Sequence, residues 1–141
     1  MFHFTLFRVI ISQMEGTKME RDYLVSRETG EMVINFRDER NWKQYHTPKD
    51  LAISLSLEAA ELLEVFQWSG EDTSSDGKTE KIKEELADVL SYCILMADAC
   101  GLDLDEIMRA KVKRNAEKYP VELAYGSKEK YTELKKKSRE Q

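Results

Sequence analysis

The sequence contains few of the residues that interrupt or cross-link a chain. Its 141 residues include two prolines, two cysteines and two histidines, and no internal repeat or proline-rich linker divides them. No segment approaches the run of ~20 apolar residues that a membrane-spanning helix requires. A chain of this length is usually one domain. We therefore predict a single domain without a membrane span.

An excess of positive charge is also absent. Lysine and arginine number 22 against 27 aspartates and glutamates, which gives a formal net charge of -5. Proteins that bind a nucleic acid polymer normally carry a strongly basic surface. The balance argues against such a partner. It leaves small phosphorylated molecules open, because a local cluster of charge is sufficient to bind them.

The two cysteines, Cys93 and Cys100, lie seven residues apart in an apolar stretch, a pattern typical of reduced core thiols in a cytoplasmic protein. The apolar opening MFHFTLFRVIIS is short, is interrupted by Arg8 and lacks a cleavage site, so we do not expect a signal peptide. A natural start at Met14 or Met19 is an alternative that the sequence leaves open.

Helical periodicity dominates the chain, and almost nothing alternates with period two. Four helices are predicted: residues 27–41, residues 48 to about 68 after a cap at Thr47, residues 80–99 before Gly101, and residues 104 to about 119 after a cap at Asp103. The polar segment 69–79 is predicted to be a mobile loop. The fold class is therefore all-α, a four-helix bundle in residues 27–120. Residues 1–26 form an N-terminal extension, for which partial disorder is one expectation, and residues 121–141 form a charged tail.

The second helix contains the stretch LEAAELLEVFQW, which places carboxylates among leucines. On a helical wheel Glu58 falls inside the apolar arc, and Glu61 lies about 60° from it and one turn along. Glu64 rotates away toward solvent. The spacing allows Glu58 and Glu61 to converge on one point.

The third helix repeats the pattern with Glu85 and Asp88. Four facing carboxylates cannot all stay ionised without compensation, and a divalent cation supplies it. Oxygen ligands favour Mg²⁺, with Mn²⁺ as a substitute. Neither histidine has ligand spacing, which disfavours a di-iron site. Such acid pairs are common on solvated helices, so spacing alone leaves an ordinary surface as the alternative.

The fourth helix places Lys111 and Asn115 on the same stripe as Leu104, Ile107 and Met108. A lysine and an amide beside a metal cluster are suited to holding phosphate oxygens. The alternative is a lysine whose stem covers the core while its ammonium group reaches water.

Together, FRDERNWKQYH, EAAELLEVFQW, EELADVL and KVKRNAEKYP resemble the MazG-like superfamily of all-α nucleoside triphosphate pyrophosphohydrolases, most of all its dCTP pyrophosphatase branch. The resemblance spans roughly residues 28–134. It implies Mg²⁺ at Glu58, Glu61, Glu85 and Asp88, with Glu61 orienting or deprotonating the attacking water. It implies phosphate contacts from Lys111, Asn115 and Tyr119, and a base pocket lined by Trp42, His46 and Trp68.

The implied reaction is hydrolysis of a nucleoside triphosphate, dCTP or a modified deoxycytidine triphosphate, to the monophosphate and pyrophosphate. A homodimer or a dimer of dimers is also implied, and exposed apolar residues such as Ile53, Leu57 and Trp68 on a second helix face agree with it. The alternative is a non-catalytic helical dimer with a structural cation site. The sequence departs from the family in residues 1–26 and at Leu123, where relatives often carry a basic residue.

Overall fold

The structure, a computed structural model, describes residues 25–126. Most of the predicted N-terminal extension, the alternative starts at Met14 and Met19, and most of the C-terminal tail lie outside the described residues. Within them the helices are α1 (Arg27–Glu39), a 3₁₀ helix (Trp42–Tyr45), α2 (Pro48–Glu64), α3 (Thr79–Cys100), α4 (Leu104–Lys118) and the short α5 (Val121–Ala124). No strand occurs in this range. The predicted all-α class is confirmed.

Helices α2 and α4 begin where side chains cap them. The hydroxyl of Thr47 accepts a hydrogen bond from the Asp50 N–H at 3.2 Å, and Pro48 takes the first helical position of α2. Asp103 accepts from the Glu106 N–H at 3.0 Å and starts α4 in the same way. Each cap satisfies an N–H group that the first helical turn leaves without a carbonyl partner.

The helix ends follow the backbone conformation. Gly101 adopts φ 63° after α3, a left-handed conformation in which a side chain would be strained. Helix α4 ends at Lys118. The next residue, Tyr119, leaves the helix because it precedes Pro120, and a proline disfavours helical geometry in the residue before it. Helix α2 ends at Glu64, four residues short of the prediction, and turns continue the chain through Trp68.

Helices α2 and α3 form the main packing unit, and α1 packs on α3. The end of α2 meets the start of α3 across the 65–78 connection, so the two helices are antiparallel. Few side chains are fully buried: the apolar ones among the described residues are Leu51, Leu95 and Ala97. Helix α4 makes only sparse contacts with the other described helices.

A buried arginine joins α1 to α3. Arg37 is 2% exposed; its Nη1 donates to Asp98 at 2.6 Å and its Nε donates to Asp38 at 2.7 Å. These hydrogen bonds raise the pKa of Arg37, with Asp38 the larger contributor, and Arg37 lowers the pKa of Asp38. The sequence patterns did not predict this pair.

The connection between α2 and α3 is held by its own side chains. Lys78 Nζ donates to Asp72 at 2.6 Å and to the carbonyl of Ser74 at 3.2 Å. The hydrogen bonds from Lys78 and Ser74 lower the pKa of Asp72 well below its usual range. The prediction of a featureless mobile loop did not anticipate these internal contacts.

Both cysteines in the described range are free thiols, Cys93 half-buried and Cys100 exposed. The expectation of an unpaired thiol is confirmed for both. The expectation of a core position is wrong for Cys100, which is exposed in the last turn of α3 with its Sγ 3.8 Å from Met96 Sδ. No described helix is long and apolar enough to cross a membrane.

Candidate metal and nucleotide site

Three carboxylates meet where α2 faces α3. Glu58 and Glu61 from α2 and Glu85 from α3 each place an oxygen within 4.8 Å of the others. We call these three residues the acid cluster. The i, i+3 spacing puts the first two on one side of α2, and the antiparallel packing brings Glu85 opposite them.

Burial differs within the acid cluster and has an electrostatic consequence. Glu85 is 7% exposed, Glu58 is half-buried and Glu61 is exposed. Burial, followed by the charges of Glu61, Asp88 and Glu85, raises the pKa of Glu58. Asp88 is exposed, and its charge acts on Glu58, so this fourth predicted ligand lies beside the cluster.

Positive charge near the acid cluster is sparse. Lys81 Nζ lies 4.0 Å from Glu85 Oε1, and the lysine side chain is 71% exposed. A pair at this long distance, whose lysine is mostly in solvent, contributes little, about 0–1 kcal/mol. The negative charge of the nearly buried Glu85, with two other carboxylates within 4.8 Å, is therefore only weakly balanced by positive charge from the described residues. Oxygen-only donors in this arrangement fit a hard divalent cation.

A cavity of about 370 Å³ adjoins the acid cluster. Its lining residues come from the end of α2, the connection and the first turns of α3: Glu61, Glu64, Val65, Gly77, Lys78, Lys81 and Glu85. No role was predicted for either lysine, and Glu64 was predicted to face solvent. The i, i+4 spacing of Lys81 and Glu85 was a signal in the sequence that could have placed Lys81 beside the acid cluster.

The residues predicted to line a base pocket occupy two places. Trp42 is 44% exposed and packs edge-to-face on Phe36, with ring centroids 5.9 Å apart. Arg40 stacks on the same phenylalanine, its Cζ 3.6 Å from the ring centroid. Nδ1 of His46 is buried and has no hydrogen-bond partner within residues 25–126. Trp68 stands apart, beyond α2, and is 89% exposed.

The residues predicted to contact phosphate lie on or just after α4. Lys111 and Asn115 are exposed, as are their stripe neighbours Ile107 and Met108. Tyr119, 38% exposed, follows the helix and lies under the ammonium group of Lys118. The face of α4 that was predicted to point inward is thus uncovered by the described part of the chain. Their role in phosphate binding stays a prediction.

The fold and the acid cluster define an all-α protein with a carboxylate-lined site between its two longest described helices. The MazG-like family matches residues 53–134, more than half of the sequence. The chain therefore belongs to the MazG-like family, as the sequence motifs indicated.

Individual relatives agree with this assignment. The dCTP pyrophosphatase 1 of Bos taurus is 38% identical over 104 residues, covering 70% of this chain and 62% of the relative. The Homo sapiens protein of the same name is 39% identical over 104 residues, covering 70% and 61%. The chain thus spans about three fifths of the length of these curated relatives. A crystal structure of a pyrophosphatase from Archaeoglobus fulgidus is 38% identical with a TM-score of 0.57, covering 71% of this chain and 99% of that one.

Proposed function

We propose that this protein is a Mg²⁺-dependent nucleoside triphosphate pyrophosphohydrolase, which releases pyrophosphate and a nucleoside monophosphate. The observation that carries the proposal is the acid cluster, with three carboxylate oxygens within 4.8 Å beside a cavity. The family and the pyrophosphatase names of its relatives support the reaction class.

The residues fit the metal that the reaction requires. Glu58, Glu61, Glu85 and Asp88 would hold Mg²⁺, or Mn²⁺ in its place, through carboxylate oxygens alone. The raised pKa of Glu58 indicates a carboxylate whose ionised form the chain does not stabilise by itself. When bound, the cation neutralises charge on the phosphate oxygens and on the departing pyrophosphate.

The gradient of burial across the acid cluster suggests how the work is divided. Glu61 is exposed toward the cavity, so we assign it to orienting the attacking water or removing its proton. Glu85 is nearly enclosed and serves best as a fixed ligand. Glu58 lies between them and acts as both ligand and catalytic group.

The proposed substrate is dCTP or a modified deoxycytidine triphosphate. The names of the mammalian relatives support this choice. Trp42 would stack on the base, and Nδ1 of His46, which has no partner among the described residues, would hydrogen-bond to it. Trp68 lies apart from both within one chain and would reach the base from a second copy. Lys111, Asn115 and Tyr119 would contact the phosphates. These assignments follow the family motifs onto residues of this chain.

We further propose a homodimer or a dimer of dimers. Ile53 and Leu57 are 51% and 59% exposed on α2, and Met108 and Val112 are 57% and 61% exposed on α4. Apolar faces on two helices favour association with a second copy. A second copy would also give the exposed face of α4 something to pack on. A cytoplasmic location stays a prediction.

The deciding experiment is a nucleotide panel with and without Mg²⁺, in which the products are identified. We expect pyrophosphate and monophosphate, with deoxycytidine triphosphates preferred. Glu61→Gln should lower kcat by about 10²-fold or more if this carboxylate acts on the water. Glu84→Gln is the matched control, because Glu84 is exposed and lies outside both the acid cluster and the cavity.

Absence of Mg²⁺-dependent turnover on every nucleotide would contradict the proposal. Stabilisation by Mg²⁺ without any product would instead favour the non-catalytic helical dimer. Release of inorganic phosphate in place of pyrophosphate would assign the chain to a different reaction.

A further inference from the structure

The cavity beside the acid cluster contains cationic groups that the proposed catalytic roles leave unused. It shares Glu61 and Glu85 with the cluster and extends to Lys78 and Lys81. Its volume of about 370 Å³ is near the lower end of the range for small-molecule sites, about 300–1,000 Å³. The space suits a small polar group better than a whole nucleotide.

One lysine of the cavity is committed to holding its wall. Lys78 is 18% exposed; its Nζ donates to Asp72 and Ser74 and lies 5.8 Å from the centroid of the Phe66 ring. These contacts tie the connection to the start of α3. Lys78 therefore shapes the cavity and has little freedom to move toward a ligand.

The other lysine is free to move. Lys81 is 71% exposed, and its ion pair with Glu85 lies at the long distance of 4.0 Å. Such a pair is weak, so turning the ammonium group toward a ligand in the cavity costs little. It stands one turn before Glu85 on α3, within reach of any group bound between the acid cluster and the cavity.

The charge of the cavity decides which ligand it accepts. Its lining combines three glutamates with two lysines, a formal charge of -1. The metal-free cavity therefore repels anions, and a divalent cation at the acid cluster offsets part of that negative charge. An anion bound there would contact the cation on one side and Lys81 on the other. A phosphate chain with several charged oxygens satisfies both contacts.

We infer that this cavity is the subsite for the pyrophosphate end of the substrate. Lys81 is its mobile hydrogen-bond donor to the phosphate oxygens, and Lys78 is the positioning residue of its wall. The inference rests on the proposed function and adds a second source of phosphate contacts to those expected from α4. It also predicts that the cavity retains pyrophosphate after hydrolysis, so that pyrophosphate inhibits as a product.

Calorimetric titration with pyrophosphate tests the subsite without turnover. The wild-type protein should bind pyrophosphate in Mg²⁺ and not in EDTA. Lys81→Ala should weaken this binding about tenfold, since a hydrogen bond to a charged group is lost. Lys81→Arg should restore most of the affinity. Lys83→Ala is the matched control: Lys83 pairs with Glu80 at 2.6 Å, lies outside the cavity and should leave binding within twofold.

Mg²⁺ affinity separates a phosphate contact from a structural one. If Lys81 only neutralises Glu85, then Lys81→Ala changes Mg²⁺ binding and leaves pyrophosphate affinity equal to that of Lys83→Ala, which overturns the inference. Turnover on the nucleotide panel with no dependence of pyrophosphate affinity on Lys81 also overturns it, while the proposed function stands. Binding of pyrophosphate that depends on Lys81 without turnover supports the subsite and contradicts the hydrolase.

Discussion

Helix α3 takes part in two charged groups, each with one buried member, and they are compensated in opposite ways. Near the end of the helix, Asp98 pairs with Arg37 of α1 at 2.6 Å. Arg37 also pairs with Asp38 at 2.7 Å, so this cation has two acidic partners. Near its start Glu85 meets Glu58 and Glu61, and the cation beside it is an exposed lysine at 4.0 Å. The same helix thus contains one group that is complete within the chain and one that is not.

The difference separates a structural role from a binding role. A buried arginine with two hydrogen-bonded carboxylates has its charge satisfied and gains nothing from a ligand. Burial and the neighbouring carboxylates raise the pKa of Glu58, and a ligand of opposite charge would relieve this cost. A polar cluster that the chain leaves uncompensated is therefore the better candidate for function.

The largest effect on stability is expected at Arg37. Arg37→Met should lower the free energy of unfolding by about 3 kcal/mol, because two hydrogen bonds between charged groups are lost. Chemical denaturation measures it. Arg109→Met is the control: its side chain is 78% exposed and pairs only with Asp105, so we expect a loss within about 0.5 kcal/mol. Equal stability of the two variants would remove the distinction drawn between the clusters.

The next effect is stabilisation by Mg²⁺. A cation that binds only the folded chain adds about 2.7 kcal/mol at a concentration 100 times its Kd. Thermal unfolding in a Mg²⁺ titration should show this rise for the wild type and for Glu84→Gln. Glu85→Gln should abolish most of it, since a nearly buried ligand is lost. A rise that persists in Glu85→Gln would place the cation elsewhere.

A smaller effect follows from the raised pKa of Glu58. The folded chain holds this proton more tightly than the unfolded chain does. Metal-free stability should therefore fall as pH rises from about the ordinary value of 4.5 through the raised pKa of the folded state. Glu58→Gln should raise the metal-free Tm at pH 7 by about 2 °C and flatten this dependence. A lower Tm for the variant would show that the ionised group is stabilised after all.

The smallest effect is expected in the connection between α2 and α3. Asp72→Asn weakens the ion pair with Lys78. Because the Asp72 side chain is 52% exposed, the free energy of unfolding should change by less than about 1 kcal/mol. Limited proteolysis is the more sensitive measurement, and cleavage within residues 69–78 should accelerate. Asp76→Asn, in the same connection, serves as the control. Unchanged cleavage in Asp72→Asn would mean that the pair does not hold the cavity wall.

Local signals were sufficient to predict where the longer helices begin. Thr47 and Pro48 before α2, Gly101 after α3 and Asp103 before α4 act through neighbouring backbone groups, and each occupies the predicted position. The end of α2 was placed too late. Its apolar pattern continues through Phe66 and Trp68 as turns, and periodicity alone does not distinguish turns from helix.

The acid cluster was predictable in part. The i, i+3 spacing put Glu58 beside Glu61, because helical geometry is local. The position of Glu85 opposite them followed from the family resemblance. The cavity lysines and the Arg37 group were not predicted, since Arg37 and Asp98 are 61 residues apart in sequence and no local pattern links them.

The sequence by itself determined the all-α class, the helix starts and the family, because capping, period and motif all depend on near neighbours. Only the tertiary structure decided which carboxylates are buried, which cation compensates them and where the cavity opens. Burial and pairing depend on which helix faces which, and that depends on the packing of surfaces distant in the sequence. The two charged groups on α3 show the physical reason: Asp98 acquires a buried arginine from α1, whereas Glu85 acquires two further carboxylates from α2.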